Sequence, residues 1–238
     1  MQYEFIPLTN KIEAAISQQH RFTTDSVLLA RFSAPKKSER AAEFCCGCGA
    51  ISLMWFGEGE IHPRQVVGFE LMQEAVNLFQ LSIEKNSLGD SIQAVNCDLK
   101  NYKQIPQLES GTFDLVVCNP PYFEEGFGQG ARKTARQETD LDIFEVCSAA
   151  AYALKYGGRL CICFKPQRMP DLFEAMRRSK IEPKTVRPVL VRAGEAPHLM
   201  LVEGRRGGKP QLNWQPALVL YDNSGEYTKE YREIYRMR

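Results

Sequence analysis

The sequence predicts an α/β fold, with a mostly parallel seven-stranded sheet, one antiparallel strand and helices on both faces. Three observations carry that expectation. Short apolar runs alternate with stretches in which apolar residues recur every three or four positions, the pattern of strand–helix–strand units. The run at 113–119, Phe-Asp-Leu-Val-Val-Cys-Asn, reads as a buried strand. The last two strand candidates are separated only by Gly-Glu-Ala-Pro at 194–197, too short for a crossover helix, so one of them runs antiparallel.

The strand candidates are 41–45, 65–70, 92–95, 113–119, 159–164, 185–192 and 198–203. Helices are expected over 50–56, 71–86, 141–156 and 169–179. Residues 123–139 lack a clear period and are rich in Gly and charge, which suits a loop over a substrate. The stretch 204–238 is expected to be irregular with a short final helix.

At 238 residues and 27.0 kDa the chain can bury a full core, and 44% hydrophobic with 25% charged residues is ordinary for a globular protein. Its start carries no basic segment followed by an apolar run, and no stretch approaches a membrane span of about 18 apolar residues. A cytoplasmic location and no membrane partner are expected. Of the eight cysteines, Cys45, Cys46 and Cys48 cluster, yet no second pair follows at zinc-like spacing and the three histidines are far apart. Buried, reduced thiols and no metal are the expectation.

Asn119-Pro120-Pro121-Tyr122 ends the buried run, because two prolines lack the N–H that a central strand needs. Asn119 then stands at the C-terminal edge of a strand, where ligands bind in open α/β sheets. Its side-chain carbonyl and the Pro120 backbone carbonyl make two acceptors, with few rival partners, for the hydrogens of an exocyclic amino group. Tyr122 offers a face for the plane that carries it.

Gly47 and Gly49 follow the first strand candidate and open a helix, as a close-approach loop requires. Glu43 precedes them, Glu70 ends the second strand, and Asp98 follows the third. A carboxylate at the second strand tip suits a ribose diol, and the next one can accept from an adenine amino group. Three glycines for a pyrophosphate are lacking, and Glu43 would repel phosphate while favouring a cationic cofactor end. Charge is also uneven. Residues 1–130 carry 10 basic and 16 acidic side chains, residues 151–210 carry 13 and 5, giving −6 and +8. A basic half beside such a site suits a polyanionic substrate.

On these residues the chain resembles the class I S-adenosylmethionine-dependent methyltransferases, within them the amino-methylating group with an NPPY motif. Glu43 to Gly49 is similar to their glycine loop, with Cys45 where the first glycine usually stands. More narrowly, FTTDSVLLARF, NPPYF, Ala135 to Glu138 and RAGEAPHLMLVEGRRGG resemble bacterial tRNA1(Val) adenine-N6-methyltransferases over essentially the whole chain. The resemblance implies a Rossmann-like domain spanning 1–238, with a helical segment at 1–38 over the cofactor, a core at 39–205 and a tail at 206–238. It implies S-adenosyl-L-methionine held by Asp25, Glu43, Gly47, Gly49, Glu70, Asp98 and Asn119. Catalysis would fall to Asn119, Pro120 and Tyr122, and contact with a tRNA or other nucleic acid to Tyr122, Phe123, Arg132, Lys133 and Arg136, with Arg205 and Arg206 as further phosphate candidates. No protein partner is implied. The residues leave open another amino substrate, namely an rRNA or DNA base or a protein glutamine, and a non-catalytic RNA-binding module.

Overall fold

The computed structural model describes residues 2–57, 62–120 and 141–235. The chain opens with an antiparallel hairpin, β1 (Glu4–Pro7) and β2 (Glu13–Ile16), turned where Thr9 Oγ1 accepts from the N–H groups of Lys11 and Ile12. Helix α1 (Thr24–Ser33) follows. The helical segment expected over 1–38 is therefore half hairpin. Its second strand, Glu-Ala-Ala-Ile, is only four residues long and does not alternate, so it carries little periodic signal.

Strand β3 (Arg40–Phe44), helix α2 (Ala50–Gly57), strand β4 (Gln65–Glu70), helix α3 (Gln73–Lys85) and strand β5 (Ile92–Asn96) form the first parallel units. Helix α3 buries Ala75, Val76, Leu78, Phe79, Ser82 and Ile83, a stripe at helical spacing. The same helix holds the hairpin: Ser82 Oγ accepts from Ala15 N at 2.8 Å, and Asn86 both accepts from and donates to the Glu13 backbone.

Strand β6 (Phe113–Cys118), helix α4 (Ile143–Ala153), strand β7 (Leu154–Phe164) and helix α5 (Met169–Arg178) come next. Leu115 and Val117 of β6 enter one core while Val116 and Cys118 enter the other, all four fully buried. That explains an apolar run without alternation. Helix α4 stops three residues short of the expected Tyr156, because Leu154 is already extended and pairs with Phe113. Strand β8 (Ile181–Arg192) is followed by β9 (Leu199–Arg206), β10 (Asn213–Trp214), β11 (Leu218–Tyr221) and helix α6 (Lys229–Tyr235). The tail thus contributes two short strands as well as its final helix.

The main sheet runs β10-β8-β9-β7-β6-β3-β4-β5, with β11 also on β8. Seven of its strands match the expected ones, and β9 alone runs antiparallel, between β7 and β8. The count is nine because β10 and β11 add to the outer side of β8 in tandem, pairing near Thr185 and beyond Val189. Pro188 falls between these two pairings, where a missing N–H costs nothing on that side. The strand order reverses at β3, which lies between β4 and β6, so a crevice opens at its C-terminal end. No helix among the described residues is long and apolar enough to cross a membrane.

Candidate active site

The crevice at the tips of β3, β4, β5 and β6 is a cleft of about 680 Å³. Glu43, Gly47, Glu70, Asp98 and Asn119 all line it. They come from four strand ends or the loops just beyond them, and the parallel register of the strands brings them together.

The loop after β3 alternates in hand: Cys45, Gly47 and Gly49 have φ of 53°, 53° and 77°. Glycine reaches this region without strain; at Cys45 an L side chain does so at roughly 1–2 kcal/mol. Cys45 thus shares the left-handed geometry that its glycine-like position in the loop demands. Gly49 does not line the cleft. A Cβ there would sit 2.1 Å from the Phe79 ring, and one on Gly68 of β4 would come within 2.6 Å of it, so Phe79 packs beneath the loop.

Glu70 Oε2 accepts from Gly47 N at 2.8 Å and its Oε1 from Met72 N at 3.0 Å, tying the tip of β4 to the glycine loop. Asp98 caps the short 3₁₀ turn of 99–104 by accepting from Lys100 N at 2.9 Å. Glu43 is 2% exposed; its Oε2 accepts from the N–H of Ser52 at 2.9 Å and from the Ser52 hydroxyl. Burial pushes the Glu43 carboxyl up to about 7, against the lowering effect of these hydrogen bonds.

Asn119 stands one residue past β6, half-buried beside buried Pro120. Its carboxamide is engaged at both ends. Nδ2 donates to Ser26 Oγ at 3.0 Å, and Oδ1 accepts from the Cys163 thiol at 2.9 Å. The expectation that Oδ1 has few rivals is thereby corrected: one lone pair is in use, and an sp² oxygen retains a second. Sequence reading missed both partners. Ser26 sits beside Asp25 in a segment it did single out, but Cys163 is 44 positions away and carried no local signal.

Asp25 itself does not line the cleft, whereas Thr23 and Ser26 do. Positions three apart share a helix face and Asp25 is rotated off it. Helix α6 packs against α1, with Tyr231 buried on it. Phe22, which opens the FTTDSVLLARF segment, also lines the cleft, as does His20, with a side chain 11% exposed, which was not anticipated.

Pro121, Tyr122, Phe123, Arg132, Lys133 and Arg136 lie outside the described residues. Arg205 and Arg206 stand away from the cleft rather than on its wall. Strand β9 runs backward from Leu201, opposite Cys163, to Arg205, opposite Arg159. Four residues of strand put Arg205 about 13 Å from the Asn119 edge. There it donates to the Gly157 carbonyl, and Arg206 donates to the Leu154 carbonyl. Arg159 of the same basic stretch is bound between Glu39 at 3.0 Å and Glu203 at 3.2 Å. Part of the charge asymmetry is thus architectural. Among the described residues no His, Cys, Asp and Glu cluster could hold a metal ion.

Fold and site together define a Rossmann-like α/β methyltransferase. The family model described as "Methyltransferase small domain" matches residues 16–180, and the chain belongs to that family. The tRNA1(Val) (adenine(37)-N6)-methyltransferase of Haemophilus influenzae is 27% identical over 215 residues, 89% of this chain and 88% of that one. The same-named protein of Tolumonas auensis is 25% identical, over 87% and 85%. Among solved structures, an Agrobacterium tumefaciens protein described as a predicted O-methyltransferase superposes with a TM-score of 0.70 at 20% identity, over 90% of this chain and 96% of that one. A geranyl diphosphate methyltransferase in complex with SAM gives 0.57 at 13% identity, over 76% and 84%.

S-adenosylmethionine is the cofactor, and the cleft fits it. It combines a backbone loop with left-handed residues and three carboxylates, Glu43, Glu70 and Asp98, a charge that suits a cationic ligand.

Proposed function

We propose that this enzyme methylates the N6 amino group of an adenine in tRNA, the adenosine 3′ of the anticodon, in the cytoplasm. The observation that carries the reading is the position of Asn119 at the tip of β6, on the wall of the cofactor cleft. Similarity to the tRNA1(Val) enzymes over most of the chain supports the choice of substrate.

Bound S-adenosylmethionine supplies an electrophilic methyl on a sulfonium. Glu43 attracts its ammonium, Glu70 accepts from its ribose hydroxyls and Asp98 from its adenine amino group. Gly47 lets the loop backbone approach closely. The lone pair of an aromatic amine is delocalised into its ring and is a poor nucleophile. When Asn119 Oδ1 and the Pro120 carbonyl accept its two hydrogens, the nitrogen is drawn toward sp³ character and its lone pair is directed out of the ring. Positioning and fixed dipoles carry the rate, so no strong base is needed. The target base must leave its stack, which costs less in a loop than in a duplex. Tyr122 and Phe123 supply aromatic faces for it, while Arg132, Lys133 and Arg136 supply charge for the phosphates.

The test is methylation of bulk tRNA lacking this modification, followed by nucleoside mass spectrometry. N6-methyladenosine in one tRNA species is expected. Incorporation into rRNA, DNA or a protein glutamine, with none in tRNA, would replace the substrate while keeping the chemistry. An absence of heat with S-adenosylhomocysteine in calorimetry would instead favour a non-catalytic RNA-binding module.

A further inference from the structure

We infer that Ser26 and Cys163 form a clamp that fixes which way the Asn119 carboxamide faces, making both of them positioning residues for methyl transfer. The inference rests on Asn119 being the amine-holding residue. An amide flanked by open space can turn over, exchanging an acceptor for a donor with almost no change of shape. Here both ends are held and the thiol end discriminates, since sulfur is a poor acceptor for a flipped N–H at this distance, whereas the Ser26 hydroxyl can serve either orientation and holds the other end in place. The fully buried Cys163 thiol donates to Oδ1 at 2.9 Å, and Ser26 Oγ accepts from Nδ2 at 3.0 Å.

The clamp reaches Asn119 from opposite directions in the fold. Cys163 belongs to β7, the strand beside β6, in a register where Cys118 faces Ile162, so residue 163 adjoins residue 119. Ser26 belongs to α1, on the face that lines the cleft, and is itself 9% exposed. With the carboxamide so oriented, one Oδ1 lone pair is taken by the thiol and the other can take an amino hydrogen. A flipped amide would turn N–H groups toward that hydrogen, repelling an amine and suiting an oxo group instead. The clamp therefore selects amino-bearing substrates over oxo-bearing ones, and it is built before substrate arrives.

Cys163→Val removes the donor at similar volume, and Cys163→Ser restores a donor. Three readouts are compared in wild type, Cys163→Val, Cys163→Ser and Ser26→Ala. Kinetics should show kcat lowered about tenfold to a hundredfold in Cys163→Val with little change in KM, and recovery in Cys163→Ser. Calorimetry with S-adenosylhomocysteine should give nearly unchanged affinity in the two Cys163 variants, whose side chain does not line the cleft. Amide NMR of ¹⁵N-Asn-labelled protein should show slow exchange of one Asn119 side-chain proton, lost in Ser26→Ala. Wild-type kcat in Cys163→Val overturns the clamp, as does a loss of cofactor affinity that parallels the loss of kcat. The NMR readout needs no substrate: if wild type fails to methylate tRNA but the protected proton is present, the substrate reading fails and the clamp stands. If that proton exchanges freely in active wild type, the clamp fails alone.

Discussion

Glu43 Oε2 accepts from both the backbone N–H and the hydroxyl of Ser52, so the acid that ends β3 also caps the first turn of α2 from inside the cleft. A carboxylate with two donors and almost no water is held by geometry but not well solvated. Burial dominates, which is why its carboxyl titrates near 7 rather than 4.5.

That shift has a sign for stability. The folded protein holds the Glu43 proton up to about pH 7 while the unfolded chain loses it near 4.5. Folding stability contributed by this group therefore falls as pH rises through that window, by about 3 kcal/mol at full ionisation. Glu43→Gln should unfold at higher temperature than wild type at pH 8, and the difference should shrink toward pH 5. Thermal unfolding at the two pH values checks this; an equal gain at both would rule out titration as the cause.

The same variant should bind cofactor worse. Calorimetry with S-adenosylhomocysteine, which keeps the ammonium, should show wild-type affinity rising through pH 7 as Glu43 ionises and a flat profile in Glu43→Gln. A parallel rise in both proteins would assign the dependence to another group.

Gly49→Ala should combine two penalties, a Cβ at φ 77° and a 2.1 Å approach to the Phe79 ring. The expected loss is about 3 kcal/mol, together with weaker cofactor binding as the loop lifts. Gly47→Ala meets no atom within 4 Å and should show the backbone penalty alone, about 1 kcal/mol. Urea denaturation of the pair separates packing from backbone strain.

Asn119→Ala should lower kcat/KM by about 10²–10³ while leaving cofactor affinity nearly intact, since what is lost acts mainly in the transition state. Steady-state kinetics beside calorimetry decide it, and wild-type turnover would refute the mechanism.

Arg159→Ala should destabilise by about 3 kcal/mol, because buried Glu39 would keep only the Lys36 N–H and half-buried Glu203 would lose its partner. The triple change to Arg159→Met, Glu39→Gln and Glu203→Gln should recover most of that loss. Chemical denaturation measures both, and a mild loss in the single variant would mean water reaches the pair.

Much of the fold was legible because its signals are local. The uninterrupted apolar run of β6, the short 194–197 link and the helical stripe of α3 each reflect the surroundings of a few adjacent residues. The left-handed loop was legible at Gly47 and Gly49, since few other residues suit that backbone, but not at Cys45, which adopts the same φ against its preference. The hairpin and the tail strands were not legible. Four residues or fewer give too little periodicity, and these strands depend on Ser82, Asn86 and β8 to pair with or pack against.

By itself the sequence determined the ends of strands and the residue types waiting there: Glu43, Glu70, Asp98 and Asn119. Tertiary structure decided which of these meet and what holds them. Ser26 and Cys163 reach Asn119 across 93 and 44 positions, and the reversal of β9 carries Arg205 to the far edge of the sheet. A period of two or 3.6 residues tells which face a side chain takes, but not which strand lies next to it. Neighbours are set by the order and direction of strands in the sheet, and that order follows from packing the whole core at once.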